Sequence, residues 1–285
     1  MRSLFRPRPF WRLWIGQRIH QLARAIEFFT LAFLRPDDFI ENNRRFYGIP
    51  TQVDVYTNKE RLKLNPIETY VLDNFVRPKK GGKALVIGCG AGRESYALAE
   101  RGWYVTGIDQ SAFMVHEAEK LFDGSLKAAF YCRDISKGIQ LETQFDFICL
   151  WCNFYGLIPT SKRRIRLLLD CHAHLKPQGV CSLSYSAVPS FSSRRRRAHV
   201  WRKGFAWMIG GNTECEIGDV WQQGNLFNHH FSSAEEVIEE ARLAGFDLVW
   251  SNSDIGQKML VLERSTKPVP SSHQENQEGV LCPKV

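Results

Sequence analysis

No stretch of this 285-residue chain reaches the ~18 consecutive apolar residues of a membrane-spanning helix, so no membrane span is expected. Cysteine is present but unpatterned, and eight residues without regular spacing do not make a disulfide framework. Cys149 and Cys152 form one CxxC, followed by Cys171 and Cys181, but no second CxxC completes a zinc-ligand set. Cys149 lies inside the apolar run Phe145–Trp151, which turns its side chain into a sheet face. Buried reduced thiols are therefore expected rather than a metal site, and they suit a reducing, cytoplasmic compartment. Glycine and proline, at 21 and 12 residues, are too few for a collagen-like chain, and 44% hydrophobic residues exclude a mostly disordered one.

Charge is unevenly spread. The chain carries +8, but residues 1–35 hold seven Arg and one Glu, so the rest is close to neutral. A protein-wide nucleic-acid footprint is not supported. Within the basic arm, Trp11 to Leu34 has helical periodicity: Ile15, Ile19, Leu22, Ile26, Phe29 and Phe33 share a stripe, with Gln17, Gln21, Arg24 and Glu27 opposite. Such a helix lies in a membrane interface, serves as a presequence, or packs on the body. One Ser before residue 30 argues against the presequence. An apolar stripe is most often core, so the arm, residues 1–45, is expected to dock on the body, with peripheral membrane contact as the alternative.

From Ala84 onward, strand-like and helix-like segments alternate. Strands are expected at Ala84–Gly88, Tyr104–Asp109, Ala128–Cys132, Phe145–Trp151, Val180–Tyr185, Phe246–Ser251 and Lys258–Glu263. Helices fall between them at Glu94–Glu100, Ala112–Lys120, Arg163–Leu175 and Ser233–Ala244. This alternation predicts an α/β fold, a doubly wound, mostly parallel seven-stranded sheet over residues 46–264. The last two strands are joined by only Asn252–Gln257, too short for a parallel crossover, so the final strand is antiparallel. Residues 265–285, rich in Pro, Ser, Gln and Glu, read as a disordered tail.

The chemistry starts after the first strand, at Gly88-Cys89-Gly90-Ala91-Gly92-Arg93-Glu94. Glycines there let the backbone turn tightly and let a ligand approach a helix N-terminus without obstruction. The next strand ends in Asp109, whose carboxylate can accept hydrogen bonds from both hydroxyls of a ribose. A dinucleotide GxGxxG would need glycine where Arg93 stands. A P-loop is excluded because Gly82-Lys83 is followed by Ala84.

What remains resembles the class I S-adenosylmethionine-dependent methyltransferases, from about Lys83 to Arg264. The resemblance runs through VIGCGAGRESYALAERGWYVTGIDQS, YCRDI, FDFICLWCNFYGLI, HLKPQGV and FNHHFSSAEEVIEEARLAGF. It implies S-adenosyl-L-methionine as cofactor, with Gly88, Gly90 and Gly92 cradling its methionine end and Asp109 on its ribose. It further implies Asp134 and Ile135 around the adenine, and Trp151 and Cys152 beside the sulfonium. Asp134 also suits the cap of a short helix, with adenine contact the favoured reading. The family often has an acid two positions before the first glycine, and here Val86 stands instead, so the methionine amino group needs another partner.

The substrate side is less specific. Asn153, Phe154 and Tyr155 follow the fourth strand at its carboxyl end, where open α/β sheets bind ligands. Residues 186–231 form an insert resembling the caps that shape substrate pockets in this family. Its Arg194–Arg197 run either clamps an anion or forms a solvated face, and the face is the more common outcome. His229 and His230 are candidate general bases, and in an extended segment one of them turns inward, where a structural role is equally open. The candidate catalytic set is thus Asn153, Tyr155, His229 and His230. The resemblance implies methyl transfer to a small-molecule or lipid-like acceptor. Aminopropyl transfer and non-catalytic cofactor binding remain open alternatives on the same fold.

Overall fold

The computed structural model describes residues 10–49, 56–57, 63–76, 81–122, 127–188, 190–222, 226–252 and 258–266. The tail expected to be disordered lies almost wholly outside them, as does the start of the basic arm.

Strands β1 (Lys83–Ile87), β2 (Tyr104–Asp109), β3 (Ala128–Cys132), β4 (Phe145–Leu150) and β5 (Leu175–Tyr185) are parallel. β8 (Phe246–Ser251) and β9 (Lys258–Arg264) complete a seven-stranded sheet in the order β3-β2-β1-β4-β5-β9-β8. β9 runs antiparallel to both neighbours, pairing Ser182 with Val261 and Leu248 with Leu262. The short link before β9 dictates this direction. The sheet reverses its strand order between β1 and β4, and the carboxyl ends of these two strands open a crevice.

Because side chains alternate along a strand, the β-residues feed two cores. Leu85, Ile87, Ile148 and Leu183 face one side, under α6 (Ser161–His174) and α8 (Ala234–Leu243). Ala84, Val86, Cys149 and Val261 face the other, under α3 (Pro66–Asn74) and α4 (Arg93–Glu100). Cys149 is buried on one face, whereas Cys171 and Cys181 are buried on the other. The sheet itself separates these thiols. α5 (Ala112–Lys120), capped by Ser111, carries the chain from β2 to β3.

The structure adds detail in two places and changes one expectation. Within the arm a second helix follows the first: α2 (Pro36–Phe46) starts with Pro36, Asp37 and Asp38 and ends on Arg44 and Arg45, a charge order that suits the helix dipole. The insert folds into α7 (Ser193–Ile209) and a hairpin of β6 (Asp219–Gln222) and β7 (Leu226–His229). In α1 (Phe10–Phe33), most of the apolar stripe is left uncovered, with Phe29 meeting the Phe205 ring of α7 at its edge. Leu31 and Ala32 are buried, but Ile15, Ile19, Leu22, Ile26, Phe29 and Phe33 are exposed. At 100° per residue, Leu31 sits about 160° round the helix from that stripe, so anchoring the last turn turns the stripe outward. Among the described residues, no helix is long and apolar enough to cross a membrane.

Candidate active site

The crevice at the carboxyl ends of β1 and β4 is a cavity of about 1000 Å³. Gly88, Gly90, Asp109, Asp134, Ile135, Trp151 and Cys152 all line it; Gly92, Asn153, Tyr155, His229 and His230 do not.

All three loop glycines have positive φ, which a side chain tolerates poorly. A Cβ on Gly88 would lie 2.2 Å from the Phe154 ring, and one on Gly92 would press on Ala118 of α5 at 3.1 Å. At Gly90, by contrast, a Cβ would meet nothing within 4 Å and would project into open space at the cavity wall. Gly88 and Gly92 are thus required by packing, and Gly90 by the turn and the cavity. The loop is tied to the end of β2. Gly90 N–H donates to Asp109 Oδ2 at 3.0 Å, and Ser111 N–H donates to Oδ1 at 2.9 Å. Burial pushes the Asp109 carboxyl up, and these backbone donors hold it back.

Asp134 caps the turn Ile135–Lys137, accepting from Ser136 N–H at 3.0 Å and Ser136 Oγ–H at 2.7 Å, while lining the cavity. Trp151 is buried and donates from Nε1 to Ser182 Oγ at 2.9 Å. Next to it, Cys152 and Asn153 are consecutive non-glycine residues in the left-handed region, φ 53° and 57°. Such strain persists only where the surroundings over-determine it, and here Asn153 N–H is held by Ser184 Oγ at 2.7 Å.

A polar cluster unforeseen in the sequence forms one end of the cavity. Arg93 grips Glu68 through both terminal nitrogens at 2.7 and 2.8 Å and reaches Glu94 and the Cys152 sulfur. Burial lowers the Arg93 pKa, but Glu94 and Glu68 outweigh it and keep the guanidinium charged. Cys152 is exposed at the cavity rather than buried as expected, but the groups crowding its sulfur, with the Glu94 carboxylate alongside, push the thiol well up, so it is a neutral thiol rather than a nucleophile. The resemblance left Val86 where an acid is common in the family; Glu94, in the first turn of the following helix, places a carboxylate at the cavity.

The opposite wall comes from α2 and α6, with Ile40, Asn43 and Tyr47 from one and Ile165, Arg166 and Leu169 from the other. Asn43 fixes α2 by exchanging two hydrogen bonds with the Phe227 backbone, both 3.0 Å, and Phe39 stacks on the Phe227 ring at 4.5 Å. Arg163 and Asp37 bridge the two helices at 2.8 Å. The Pro-Asp-Asp start and Arg-Arg end of α2 were a readable helix signal.

The four candidate catalytic residues require correction. Tyr155 is fully buried, stacks on Phe231 and donates to Glu240 at 2.6 Å. His229 is equally buried, with Nδ1 2.8 Å from Asp219 and Nε2 3.5 Å from Glu236. Burial lowers its pKa, but the two carboxylates raise it further, giving a net upward shift. Burial lowers that of His230, and Arg195 adds to the effect. Asn153 contributes through its backbone. Tyr155 and His229 belong to a network around the fully buried Arg164, which reaches Glu240 at 2.7 Å and Glu216 at 2.9 Å and lies over the Phe231 ring. The alternation that turns His229 inward carries it into this network, away from the cavity. Two clusters of the metal-ligating type occur among the described residues, Glu68/Glu94/Cys152 and Glu216/Asp219/His229, and an arginine cation already sits at each.

The sheet order, the antiparallel β9 and the glycine turn tied to a β2 carboxylate define a Rossmann-like domain of the nucleoside-binding kind. Residues 84–179, about a third of the chain, match the family model described as a methyltransferase domain. The chain is similar to the cypemycin N-terminal methyltransferase of Streptomyces sp., 32% identical over 116 residues, 40% of this chain and 46% of that one. It is also similar to the ubiquinone biosynthesis O-methyltransferase of Coxiella burnetii, 30% identical over 118 residues, 41% of this chain and 48% of that one. It thus spans less than half the length of these relatives. A solved S-adenosylmethionine-dependent methyltransferase of Methanosarcina mazei shares the fold, with TM-score 0.54 at 20% identity over 72% of this chain and all of the other.

Proposed function

We propose that this protein binds S-adenosyl-L-methionine in the crevice between β1 and β4 and transfers its methyl group to a small, largely apolar acceptor. The observation that carries this reading is the loop itself. Gly90 leaves open space at the cavity wall, and its N–H is held by Asp109, so a ribose can approach a carboxylate already fixed in place. The residues fit the cofactor. The Asp109 carboxylate keeps acceptor capacity beyond its backbone donors, which suits it to a ribose hydroxyl. Asp134 and Ile135 suit the adenine, and Trp151 with Cys152 the sulfur end. Glu94 suits the methionine ammonium and Arg93 its carboxylate, which answers the absence of an acid at Val86.

When bound, the cofactor supplies a methyl carbon activated by its sulfonium. The chain's own task is to align an acceptor and exclude water. About 1000 Å³ is the upper end of the ~300–1000 Å³ typical of a single-ligand pocket, which leaves room for an acceptor beside the cofactor. Ile40, Leu157, Ile158 and Ile165 favour an apolar body, and Lys162 and Arg166 favour a polar or acidic substituent. One relative is named as an N-terminal methyltransferase of cypemycin and the other as an O-methyltransferase of ubiquinone biosynthesis, so acceptor identity is not carried over from either.

Calorimetric titration with S-adenosyl-L-methionine and its demethylated product tests the first half. Radiolabelled methyl transfer to a panel of quinols, phenols and fatty or isoprenoid acids tests the second. Saturable cofactor binding with label on an apolar acceptor is the expected result. A folded protein that does not bind the cofactor refutes the reading.

A further inference from the structure

We infer that α1 and α7 together form a docking surface for an anionic lipid bilayer. The chain has eight tryptophans, and the four that are exposed, Trp11, Trp14, Trp201 and Trp207, all lie on these two helices, with Trp201 and Trp207 76% and 78% accessible. Trp is the side chain that best suits a lipid–water boundary. On α7, Val200, Trp201, Trp207 and Met208 fall on one side of the helix and are exposed, while Arg202 and Ala206 on the opposite side are buried. α1 adds its outward stripe, along a helix about 36 Å long at 1.5 Å per residue. The helices meet where Phe29 packs edge-on against Phe205 at 5.3 Å and Asn212 N–H donates to Ala32 O at 2.7 Å, so the two apolar faces adjoin.

Charge selects the occupant. α7 contains six Arg and Lys and no acid, and residues 1–35 carry +6. The whole chain is only +8, so everything outside these two segments is net acidic. Among the arginines, Arg195 is drawn toward the Ile217 and Asp219 carbonyls, whereas Arg194 and Arg197 are exposed in the first turn of α7. Arg18 stacks over Trp14 at 5.1 Å, its charged head beside the apolar face. A second copy of this chain would bring one cationic surface against another. A bilayer with anionic headgroups accepts both the tryptophan face and the arginines. α2, which lines the cavity with Ile40 and Asn43, begins at Pro36 just beyond α1, so docking holds that wall close to the lipid. The inference does not rest on methyl transfer, because vesicle binding is measured without turnover.

The test is co-sedimentation of the full chain with phosphatidylcholine vesicles, with and without phosphatidylglycerol, while tryptophan emission is followed. Binding is expected only with phosphatidylglycerol, with a blue shift and a decline as salt rises. Arg194→Gln and Arg197→Gln should each weaken partitioning about fivefold. Leu22→Glu combined with Trp207→Ser should abolish it, and since both side chains are exposed the melting temperature should stay at wild type. No binding to phosphatidylglycerol vesicles, or binding indifferent to both sets of variants, overturns the inference. So does a solution dimer that the same variants dissociate, since a second copy would then cover the surface.

Discussion

Replacing Asp109 tests how the cofactor is held, because the position joins the strand, the glycine loop and the proposed ribose contact. Its two oxygens already accept from Gly90 and Ser111 N–H at 3.0 and 2.9 Å. Hydrogen bonds to a charged group contribute about 1.5–3 kcal/mol, so losing even one ribose contact in Asp109→Ala should weaken cofactor binding about 10- to 150-fold. Stability should respond differently. Burial raises the folded pKa of this carboxyl, so the ionised form is disfavoured in the folded state. Its stabilising contribution is present below the unfolded pKa and lost as pH rises through the folded one. Removing the charge therefore offsets the two lost backbone contacts at neutral pH, and the melting temperature should move little. Asp109→Asn separates charge from shape: its amide nitrogen must face one of the two backbone donors, so affinity should fall despite the conserved size. Calorimetry beside a thermal melt reads both quantities. For wild type, affinity should decline in acid as Asp109 protonates, and Asp109→Ala should flatten that profile. A folded Asp109→Ala variant with wild-type affinity at neutral pH would falsify the assignment.

Arg164→Met should destabilise the protein by about 3–5 kcal/mol, because it strands the buried Glu240 carboxylate. A drop of about 6–20 °C in melting temperature is the corresponding reading, and a shift below 2 °C would mean the network contributes little. His229 has a folded pKa raised above 6.5, so its contribution is complete below the unfolded value and is lost as pH rises through the folded one. His229→Asn should accordingly flatten the fall in melting temperature above pH 6.5, and an unaltered pH profile would exclude this histidine as its source.

The sheet was legible because its strands are apolar, evenly spaced and separated by helices of matching period. β2, α5, β3 and β8 have the bounds their periodicity implies. The joining of the glycine turn to Asp109 at one cavity was equally readable, since that turn and the acid ending the next strand are a strand and a helix apart in sequence. The acceptor wall was not. Asp37 and Arg163 meet within that wall from positions 126 residues apart, and no local spacing reports that. His229 shows another limit: alternation shows that one of two adjacent histidines turns inward, but not whether inward means a pocket or a charge network. The stripe of α1 shows a third, because periodicity identifies a face without saying what covers it.

Gly88 has a consequence for redesign. Because any Cβ there would overlap Phe154, the turn after β1 and the turn after β4 are keyed together like a tongue in a groove. Phe154 also lines the cavity, at the side where an acceptor would be varied. Substitutions that enlarge or reshape position 154 will therefore be felt in the cofactor loop, so libraries aimed at new acceptors should hold that residue fixed and draw their diversity from α2 and α6.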